Sequence, residues 1–534
     1  MNRKNFIKDA TCILTAGSLL QQCTLVNNQN IKGKIVGANA NIGHLLKDIN
    51  TKISTKTITT GTVIIGGGIS GLSAARWLKQ NGHTDFILLE LDAETGGNTA
   101  SGKNETSAYS WGAHYIPIPN NDLKEYNHFL EECNIITGYN EAGLPFINEF
   151  YLCFTPQERL YINGHWQEGL VPDFGVPINE QQQIKKFFAQ MLLFRLAKGT
   201  DGKDAFAIPA DNSSNDALYK MLDTITMKEW LLQNNYTATY LHWYCNYCCR
   251  DDFGTDYSLA SAWAGIHYFA GRKGMAANAP PQSVITWPEG NAWLAKQLKK
   301  NIETFILTNQ LATNIAHNEQ NVQVTIMDTI TKNLSTIIAK KCIVATPQFI
   351  AVHLLKAEIK RKQLVAENFV YQPWMVANIT TKKLIERNGS GLSWDNVLYK
   401  SKALGYVEAT HQHINQLQEK VVLTYYLPLT EKAAKVEREL AQKRTFTDWV
   451  NIIVHDLTNA HSNLTECVEN IDIWVWGHGM ISPHKGFIHG DVKKQLQQPI
   501  DNKIFFAHTD LAGVSIFEEA FYQGIKAATQ ILAT

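Results

Sequence analysis

The sequence has little that would place the protein in a membrane, on nucleic acid or in a disulfide framework. No apolar run reaches the ~18 residues that a transmembrane helix needs. Lysine plus arginine and aspartate plus glutamate are equal at 49 each, so no basic surface for nucleic acid is indicated. The nine cysteines are few and scattered, which argues against a disulfide-rich scaffold.

The length and composition indicate a large globular protein. A chain of 534 residues favours two or more domains over one. Hydrophobic residues make up 45% of the sequence, which is enough to build extensive cores. Composition therefore indicates no particular function, and local motifs are needed to predict one.

The clearest local pattern is a glycine-rich turn between an apolar strand and a helix. Residues 63–65 are β-branched, as in a buried strand. Gly66, Gly68 and Gly71 follow in the spacing G-x-G-x-x-G. In this motif the glycines allow a tight turn, the approach of a phosphate to bare backbone and close packing of the next helix. The free N–H groups of that helix would face a pyrophosphate.

An acidic residue stands where such a motif requires one. A second apolar run ends at Glu90, roughly 20 residues beyond the glycines, where a carboxylate binds ribose hydroxyls. The alternative is a Rossmann-like fold without a dinucleotide. Dinucleotide binding is favoured over this alternative because strand, turn, helix, strand and acid follow in this order. Gly96, Gly97 and Asn98 then follow six residues after Glu90.

The combination of glycine turn, acid and second glycine pair resembles the flavin-containing amine oxidase superfamily. That superfamily includes monoamine and polyamine oxidases, phytoene desaturases and protoporphyrinogen oxidases. The resemblance extends to a strand that ends in Thr346-Pro347 and to the closing segments 504–513 and 517–528. It implies an α/β fold, in which a Rossmann-type FAD-binding domain is joined to a mixed α+β substrate domain, as in the two-domain amine oxidase and glutathione reductase architecture.

The resemblance also predicts how the chain is divided. Residues 1–23 are predicted to be an export leader, and residues 24–57 a linker or an arm that covers the first domain. The FAD-binding domain is discontinuous and consists of residues 58–118, 284–350 and 490–534. The substrate domain consists of residues 119–283 and 351–489. The part from about 120 to 283 is expected to be mostly helical. Residues 369–380 and 421–427 are expected to be strands of a substrate-side sheet.

The predicted cofactor is noncovalent FAD, because residues 468–534 contain no cysteine for attachment. The predicted FAD-binding residues are Gly66, Gly68, Gly71, Glu90, Gly96, Gly97, Asn98, Gly112, Ala113, His114, Ala312, Thr346, Asp510, Ile516 and Phe517. In this resemblance the acid at 510, or Thr509 beside it, binds the ribityl chain or a phosphate. The helix that starts near 516 directs its dipole at the flavin.

Two of the flavin-side residues carry separate expectations. Relatives usually place an arginine where this chain has Asn98, so a cationic contact is lost or altered there. His114 is a candidate donor to a flavin carbonyl, and the alternative is a structural histidine with satisfied hydrogen bonds.

The resemblance implies hydride transfer from a substrate C–H bond to flavin N5. Trp476 and His478 are the candidate catalytic residues on the substrate wall, where a neutral His478 can accept a substrate proton. Ordinary core packing is the alternative for both. The predicted partners are a small-molecule amine, including a polyamine, and O2 or another electron acceptor.

Two departures keep other functions open. Val376 falls where many amine oxidases carry a lysine, and Ile516 stands where monoamine oxidases place a tyrosine. The alternatives are an FAD-dependent desaturase or dehydrogenase of an apolar substrate, and a non-catalytic flavin-binding protein.

The N-terminus has the composition of an export leader. Residues 3–8 carry three basic side chains and precede the apolar stretch 10–20. Residues 3–8 resemble a twin-arginine signal in which Lys4 replaces the second arginine. Cys23 is a candidate lipid anchor, although two glutamines precede it. The predicted location is periplasmic or membrane-anchored, without a transmembrane span, and the alternative is cytoplasmic.

A metal site is considered and not expected. His242, Cys245 and Cys249 stand three to four residues apart, so one helical face could present three soft ligands. No fourth ligand is evident nearby, and buried thiols are the favoured interpretation. The adjoining residues 250–252 are expected to form an internal ion pair or to line the pocket.

Overall fold

The structure is a computed structural model that describes residues 31–38, 40–47, 56–414 and 419–534. The predicted export leader, including Cys23, lies outside the described residues. Within these ranges, no helix has both the length and the apolar character that crossing a bilayer requires.

The strands are numbered in chain order. They are β1 Lys32–Gly37, β2 Lys56–Ile65, β3 Phe86–Leu89, β4 Ser101–Lys103, β5 Ala108–Ser110, β6 Tyr115–Pro117, β7 Ile136–Tyr139, β8 Pro145–Ile147, β9 Glu158–Ile162, β10 His165–Glu168, β11 Val284–Thr286, β12 Ile306–Leu307, β13 Gln310–His317, β14 Val322–Asp328, β15 Leu334–Val344, β16 Tyr371–Lys382, β17 Asp395–Leu398, β18 Gly405–Glu408, β19 Lys420–Pro428, β20 Val468–Ile481 and β21 Ile504–Phe506.

The α-helices are numbered in the same way. They are α1 Ala40–His44, α2 Ile69–Gln80, α3 Lys124–Glu132, α4 Ile178–Leu196, α5 Ala217–Lys220, α6 Met227–Gln233, α7 Thr239–Phe253, α8 Ala262–Ala270, α9 Ala292–Lys299, α10 Gln348–Leu354, α11 Ile359–Asn368, α12 Ala434–Lys443, α13 Phe446–Leu457, α14 Leu464–Cys467, α15 Asp491–Gln497 and α16 Phe517–Leu532.

The first sheet is built around the strand that precedes the glycine turn. It has seven strands in the order β12-β3-β2-β15-β14-β13, with β21 paired to β15. β2 pairs in parallel with both β3 and β15. Val63 and Ile64 are 0% exposed, as expected of a strand that is covered on both faces. This sheet is the predicted Rossmann-type element.

Two helices meet closely on this sheet. A Cβ on Gly524 of α16 would lie 2.2 Å from the carbonyl oxygen of Ser70 in α2. Only glycine allows the two backbones to come so near. The first and last parts of the chain are therefore held together beside the glycine turn.

The second sheet has eight strands in the order β1-β20-β16-β19-β18-β17-β9-β10. Its central strand β16 is buried along nearly its whole length. Trp449, Ile453 and Leu457 of α13 belong to the same apolar cluster as the inward residues of β16 and β20. With the helices α4, α7 and α8, this sheet forms the mixed α+β part of an α/β fold, which confirms the predicted architecture.

Two regions differ from the sequence-based expectation. Lys32–Gly37 was expected in a linker or arm, but it is an edge strand paired in parallel with β20. Residues 120–283 were expected to be mostly helical, but they include the antiparallel pairs β7–β8 and β9–β10. These strands are short or polar, so backbone pairing with a neighbour, rather than intrinsic propensity, defines them.

The parallel pairing of β9 and β17 sets the positions of two acids. Glu158 pairs with Asp395, and Arg159 pairs with Asn396. Because side chains alternate along a strand, the acids point to one face of the sheet and Arg159 and Asn396 point to the other. Arg159 is 0% exposed and donates from Nε to Asn396 Oδ1 at 2.6 Å. Its guanidinium lies 3.9 Å from the ring centre of Trp166.

Replacing Arg159 by leucine should destabilise this sheet. Arg159 also pairs with Glu386 at 2.7 Å, and loss of the cation leaves a buried amide and a carboxylate without their partner. We expect a loss of about 3 kcal/mol in the free energy of unfolding. Chemical denaturation followed by near-UV circular dichroism measures this loss. Arg387→Leu, at an exposed position, is the control and should change stability little; equal losses in both variants would contradict the assigned role.

Candidate functional site

The glycine turn has two close backbone contacts and one open position. Gly66 has a φ of 105°, and a Cβ there would lie 2.7 Å from the carbonyl oxygen of Ala345. A Cβ on Gly71 would lie 1.9 Å from the carbonyl oxygen of Gly66. A Cβ on Gly68 would meet nothing within 4 Å, because this residue borders a cavity. The turn therefore needs glycine for packing at 66 and 71, and leaves an open approach at 68.

We name the space beside this turn the glycine-turn cavity. It encloses about 320 Å³. Most of the residues predicted to bind the cofactor line it, together with one of the predicted catalytic residues. These are Gly66, Gly68, Glu90, Gly96, Gly97, Asn98, Ala113, Ala312, Thr346, His478, Asp510, Ile516 and Phe517.

Glu90 is held in place by backbone donors. Its carboxylate accepts from the N–H of Gly67 at 2.8 Å and from the N–H of Asp92 at 2.9 Å. Burial raises the pKa of Glu90 to about 7, and the two backbone hydrogen bonds oppose that rise. The carboxylate is thus fixed at the end of β3, where it can accept hydrogen bonds from ribose hydroxyls.

Asp510 is fixed by neighbours on two other elements and by a histidine two residues before it in the chain. It is 1% exposed and accepts from the hydroxyl of Tyr371 at 2.5 Å and from the backbone N–H of Gln348 at 2.7 Å. The Nδ1 atom of His508 lies 3.0 Å from its other oxygen. Thr509 lines the same cavity, so both residues considered for the ribityl or phosphate contact are present there.

The polar groups around this cavity fit an adenine dinucleotide. No side chain of the described ranges caps α2, so its first N–H groups remain available to a pyrophosphate beside Gly68. The Thr346 hydroxyl is buried and, among the described residues, has no hydrogen-bond partner. A carboxylate for ribose, uncapped N–H groups for phosphate and an unsatisfied hydroxyl are the donor and acceptor types that FAD requires.

A second space, the acidic cavity, adjoins the first and encloses about 490 Å³. The two cavities share a set of lining residues that we call the junction. The junction residues are Asn98, Ala113, Gly479, Met480, Ser515, Ile516 and Phe517. Asn98 donates from Nδ2 to the carbonyl oxygen of Gly479 at 2.6 Å, which ties the turn at residues 97–99 to β20.

The acidic cavity carries more negative than positive side chains. Glu158, Asp251, Asp252, Asp395 and Glu518 line it, against Arg195 and Arg272. Asp252 pairs with Arg272 at 2.6 Å. Within the described ranges, the other four carboxylates have no ion-pair partner within 4.0 Å.

Burial and mutual repulsion raise the pKa values of these acids. Burial is the main cause for Asp251, whose pKa is raised to about 7 with a further contribution from Asp252. The pKa of Asp395 is raised well above its usual range by burial and by Glu158. Burial also raises the pKa of Glu518. A bound cation would lower all three pKa values by stabilising the ionised forms.

Aromatic rings form the rest of the wall. His114 stacks on Tyr426, with ring centres 4.6 Å apart, and lies 5.6 Å from the ring of Trp394. Burial lowers the pKa of His114 to about 4, so its imidazole is neutral. A Cβ on Gly112 would lie 2.2 Å from the carbonyl oxygen of Asn98, which explains the glycine there. Gly112 and His114 line the acidic cavity rather than the glycine-turn cavity.

The structure separates the two candidate catalytic residues. Trp476 lines the acidic cavity and donates from Nε1 to the carbonyl oxygen of Trp111 at 2.6 Å. His478 lines the glycine-turn cavity and stacks on Phe349 with ring centres 4.1 Å apart. The pairing of β20 with β16 is irregular between Gln372 and Trp374, opposite residues 476–480. Such a bulge redirects side chains, which explains why residues two apart face different cavities.

The acids of the second cavity were largely missed by the sequence analysis. Only residues 250–252 were considered for the pocket. Glu158 and Asp395 meet through a parallel pairing between distant strands, which no local pattern reveals. Glu518 stands in the first turn of α16, where an acid is common for electrostatic reasons alone.

The candidate metal ligands have other partners. The two ring nitrogens of His242 lie 3.0 Å from the hydroxyl of Tyr257 and 2.8 Å from the carbonyl oxygen of Tyr236. Cys245 and Cys249 are buried in an apolar cluster. No group of three metal-ligating side chains was found in the part of the chain that the structure describes.

Two glycine substitutions should separate folding from cofactor binding. Gly71→Ala places a Cβ against the Gly66 carbonyl, so we expect a loss of about 1–3 kcal/mol in the free energy of unfolding. Gly68→Ala should leave the stability of the FAD-free protein unchanged and weaken FAD binding at least tenfold, because the methyl group enters the cavity. Thermal unfolding and titration of FAD fluorescence measure the two effects. Unchanged FAD affinity in Gly68→Ala would contradict this assignment.

Sequence comparisons match the part of the chain that contains the glycine turn. A family model described as an NAD(P)-binding Rossmann-like domain matches residues 64–133. A flavin-containing amine oxidase of Oncorhynchus mykiss is 38% identical over 123 residues, 21% of this chain and 23% of that protein. The mitochondrial dimethylglycine dehydrogenase of Rattus norvegicus is 34% identical over 82 residues, 15% of this chain and 10% of that protein. The matches thus span between 10% and 23% of the length of these curated relatives.

The likeness in fold covers much more of the chain. A putrescine oxidase solved with putrescine bound has a TM-score of 0.66 at 14% identity, over 90% of this chain and 100% of that chain. The cyclohexylamine oxidase of Brevibacterium oxydans has a TM-score of 0.62 at 15% identity, over 89% of this chain and 99% of that chain. Sequence around the glycine turn and fold over most of the chain together confirm that this protein resembles the flavin-containing amine oxidase superfamily.

Proposed function

We propose that the protein is an FAD-dependent oxidoreductase of amine oxidase type that holds its FAD noncovalently. The observation that carries this proposal is the junction, where a cavity suited to a dinucleotide opens into a second, acidic and aromatic cavity. A redox cofactor whose ring system occupied the junction residues would be in reach of a substrate in the acidic cavity. Flavin, when bound, supplies hydride acceptance at N5.

The residues of the acidic cavity favour an amine as the substrate. Four carboxylates that have no ion-pair partner among the residues described attract ammonium groups, and the aromatic rings exclude water and can contact the cation. An amine must be neutral before it can give up a hydride. The carboxylate of Glu518 directly follows the junction residue Phe517, and burial raises its pKa, so it can take a proton from the ammonium group next to the junction.

The alternative functions receive less support from these side chains. An apolar substrate of a desaturase would leave the same carboxylates buried beside hydrocarbon, which is unfavourable. A non-catalytic flavin-binding protein would have no need of an enclosed space of about 490 Å³ next to the ring. The names of the two structural neighbours, a putrescine oxidase and a cyclohexylamine oxidase, also favour an amine substrate.

We also propose that residues 1–23 serve as an export leader, so that the enzyme works in the periplasm or on a membrane. The leader-like composition of residues 3–20 supports this proposal. Expression with and without residues 1–23, followed by fractionation of cells, tests it. Export that does not depend on the leader would overturn it.

The central test of the proposed function is the reaction of the purified protein with amines. We expect a flavin absorption spectrum, release of the flavin on acid precipitation, and anaerobic bleaching on addition of primary amines. Release of hydrogen peroxide in air would identify O2 as the electron acceptor, whereas its absence with preserved bleaching would indicate another acceptor. A protein that binds FAD but is reduced by no amine would overturn the proposal.

The affinity for FAD should depend on pH through Glu90. The ionised Glu90 carboxylate would accept hydrogen bonds from the ribose hydroxyls of FAD, and its pKa of about 7 in the FAD-free protein means that it becomes protonated as the pH falls below 7. We therefore expect weaker FAD binding at pH 6 than at pH 8. Glu90→Gln should bind FAD about tenfold more weakly at pH 8 and lose most of the pH dependence. If the FAD affinity of Glu90→Gln still depends on pH, a group other than Glu90 is responsible for that dependence.

A further inference from the structure

We propose that Glu158, Asp251 and Asp395 form a site for a second positive charge on the substrate, so that the preferred substrate is a diamine or polyamine rather than a monoamine. This inference rests on the proposed function and assigns a specificity role to acids that lie apart from the junction. It predicts which amine the cavity selects.

The three carboxylates come together from three elements of the second part of the fold. Glu158 and Asp395 occupy paired positions on the parallel strands β9 and β17 and therefore point to the same side of the sheet. Asp251 lies in the last turn of α7 and interacts electrostatically with Asp395. Among the described residues, no lysine or arginine lies within 4.0 Å of these three carboxylates. Three like charges in one cavity repel each other, and a cation placed between them removes that cost.

A fourth acid lies at a different place in the same cavity. Glu518 is 2% exposed, lines the acidic cavity and directly follows the junction residue Phe517. It has no ion-pair partner within 4.0 Å among the described residues. Burying a carboxylate without a cation beside it is costly, and a positively charged ligand would remove that cost. It thus points, independently of the other three, to a cationic ligand that reaches the junction.

The electrostatic neighbours of these acids divide them into two groups. Glu518 interacts with the paired Arg272 and Asp252. Asp251 interacts with the same pair, whereas the principal neighbours of Asp395 are Glu158 and Asp251. Among the described residues, one carboxylate without an ion pair thus adjoins the junction residue Phe517 in the chain, and three others group around the paired strands β9 and β17. A linear molecule with a cation at each end matches this distribution of charge.

Aromatic side chains support a cation beside the three acids. The rings of Tyr115 and Trp394 lie 5.7 Å apart, edge to face, and both residues line the cavity next to Asp395. Tyr115 and Tyr247 interact electrostatically with both Asp251 and Asp395. Ring faces attract ammonium groups, and their apolar surface suits the methylene chain between two amines.

The test compares amines that differ by one charge. Putrescine and n-butylamine have the same carbon chain, and only putrescine carries a second ammonium group. With the FAD-loaded wild-type protein, we expect the KM for putrescine in anaerobic flavin reduction to be at least tenfold below that for n-butylamine. Calorimetric binding of both amines to the same protein provides a readout that does not require turnover.

Substitutions of the acids show which residues distinguish putrescine from n-butylamine. Asp395→Asn and Glu158→Gln should each raise the KM for putrescine about tenfold to hundredfold, since they remove one charged contact, and should change the KM for n-butylamine less than twofold. Glu168→Gln, an exposed acid on the neighbouring strand β10, is the matched control and should leave both values unchanged. FAD content and thermal unfolding verify that the variants fold.

The outcomes distinguish this inference from the proposed function. If both amines reduce the flavin with equal KM in the wild-type protein, or if the variants weaken both amines equally, the second-cation site is wrong while amine oxidation stands. If neither amine reduces the flavin but putrescine binds more tightly than n-butylamine and loses this advantage in Asp395→Asn, the site stands and the proposed function is wrong. The wild-type comparison decides the question even if a variant fails to fold.

Discussion

The close backbone approach at the glycine turn is the constraint on which the rest of the structure depends. Gly71 brings α2 against the carbonyl of Gly66, and Gly524 brings α16 against Ser70. Two helices that are distant in sequence are thereby fixed beside the same turn, and the first turns of both border the glycine-turn cavity. Uncapped N–H groups and a positive dipole end at this place favour a bound anion such as a pyrophosphate.

The second cavity is defined by unbalanced charge rather than by shape. Its five acids face two arginines, and within the described part of the chain only Asp252 has an ion pair. Burial of unpaired carboxylates destabilises the empty protein, so their presence is explained most simply by a cationic ligand. The hydrogen bonds of Arg159 on the opposite face of the sheet fix the register that gathers Glu158 and Asp395. Arg159 thus stabilises the sheet on one face, and Glu158 and Asp395 are available to bind a ligand on the other.

Local sequence pattern predicted the elements that depend on neighbours in the chain. The β-branched run 63–65, the glycines after it and Glu90 all lie where their spacing indicated, because turn, strand and helix signals act over a few residues. The edge strand Lys32–Gly37 and the pairing of Glu158 with Asp395 depend on distant partners, which a single sequence does not reveal. The placement of His478 failed to follow simple alternation because β20 is bulged there.

The position of a bound flavin ring decides whether the two cavities act together. A crystal structure of the protein grown with FAD tests this most directly. The account predicts adenosine and pyrophosphate along Gly66 to Gly68 and Glu90, with the ring system between Gly479 and Ser515 to Phe517, one face open to the acidic cavity. A ring bound elsewhere, or a ring sealed from the acidic cavity, would contradict it.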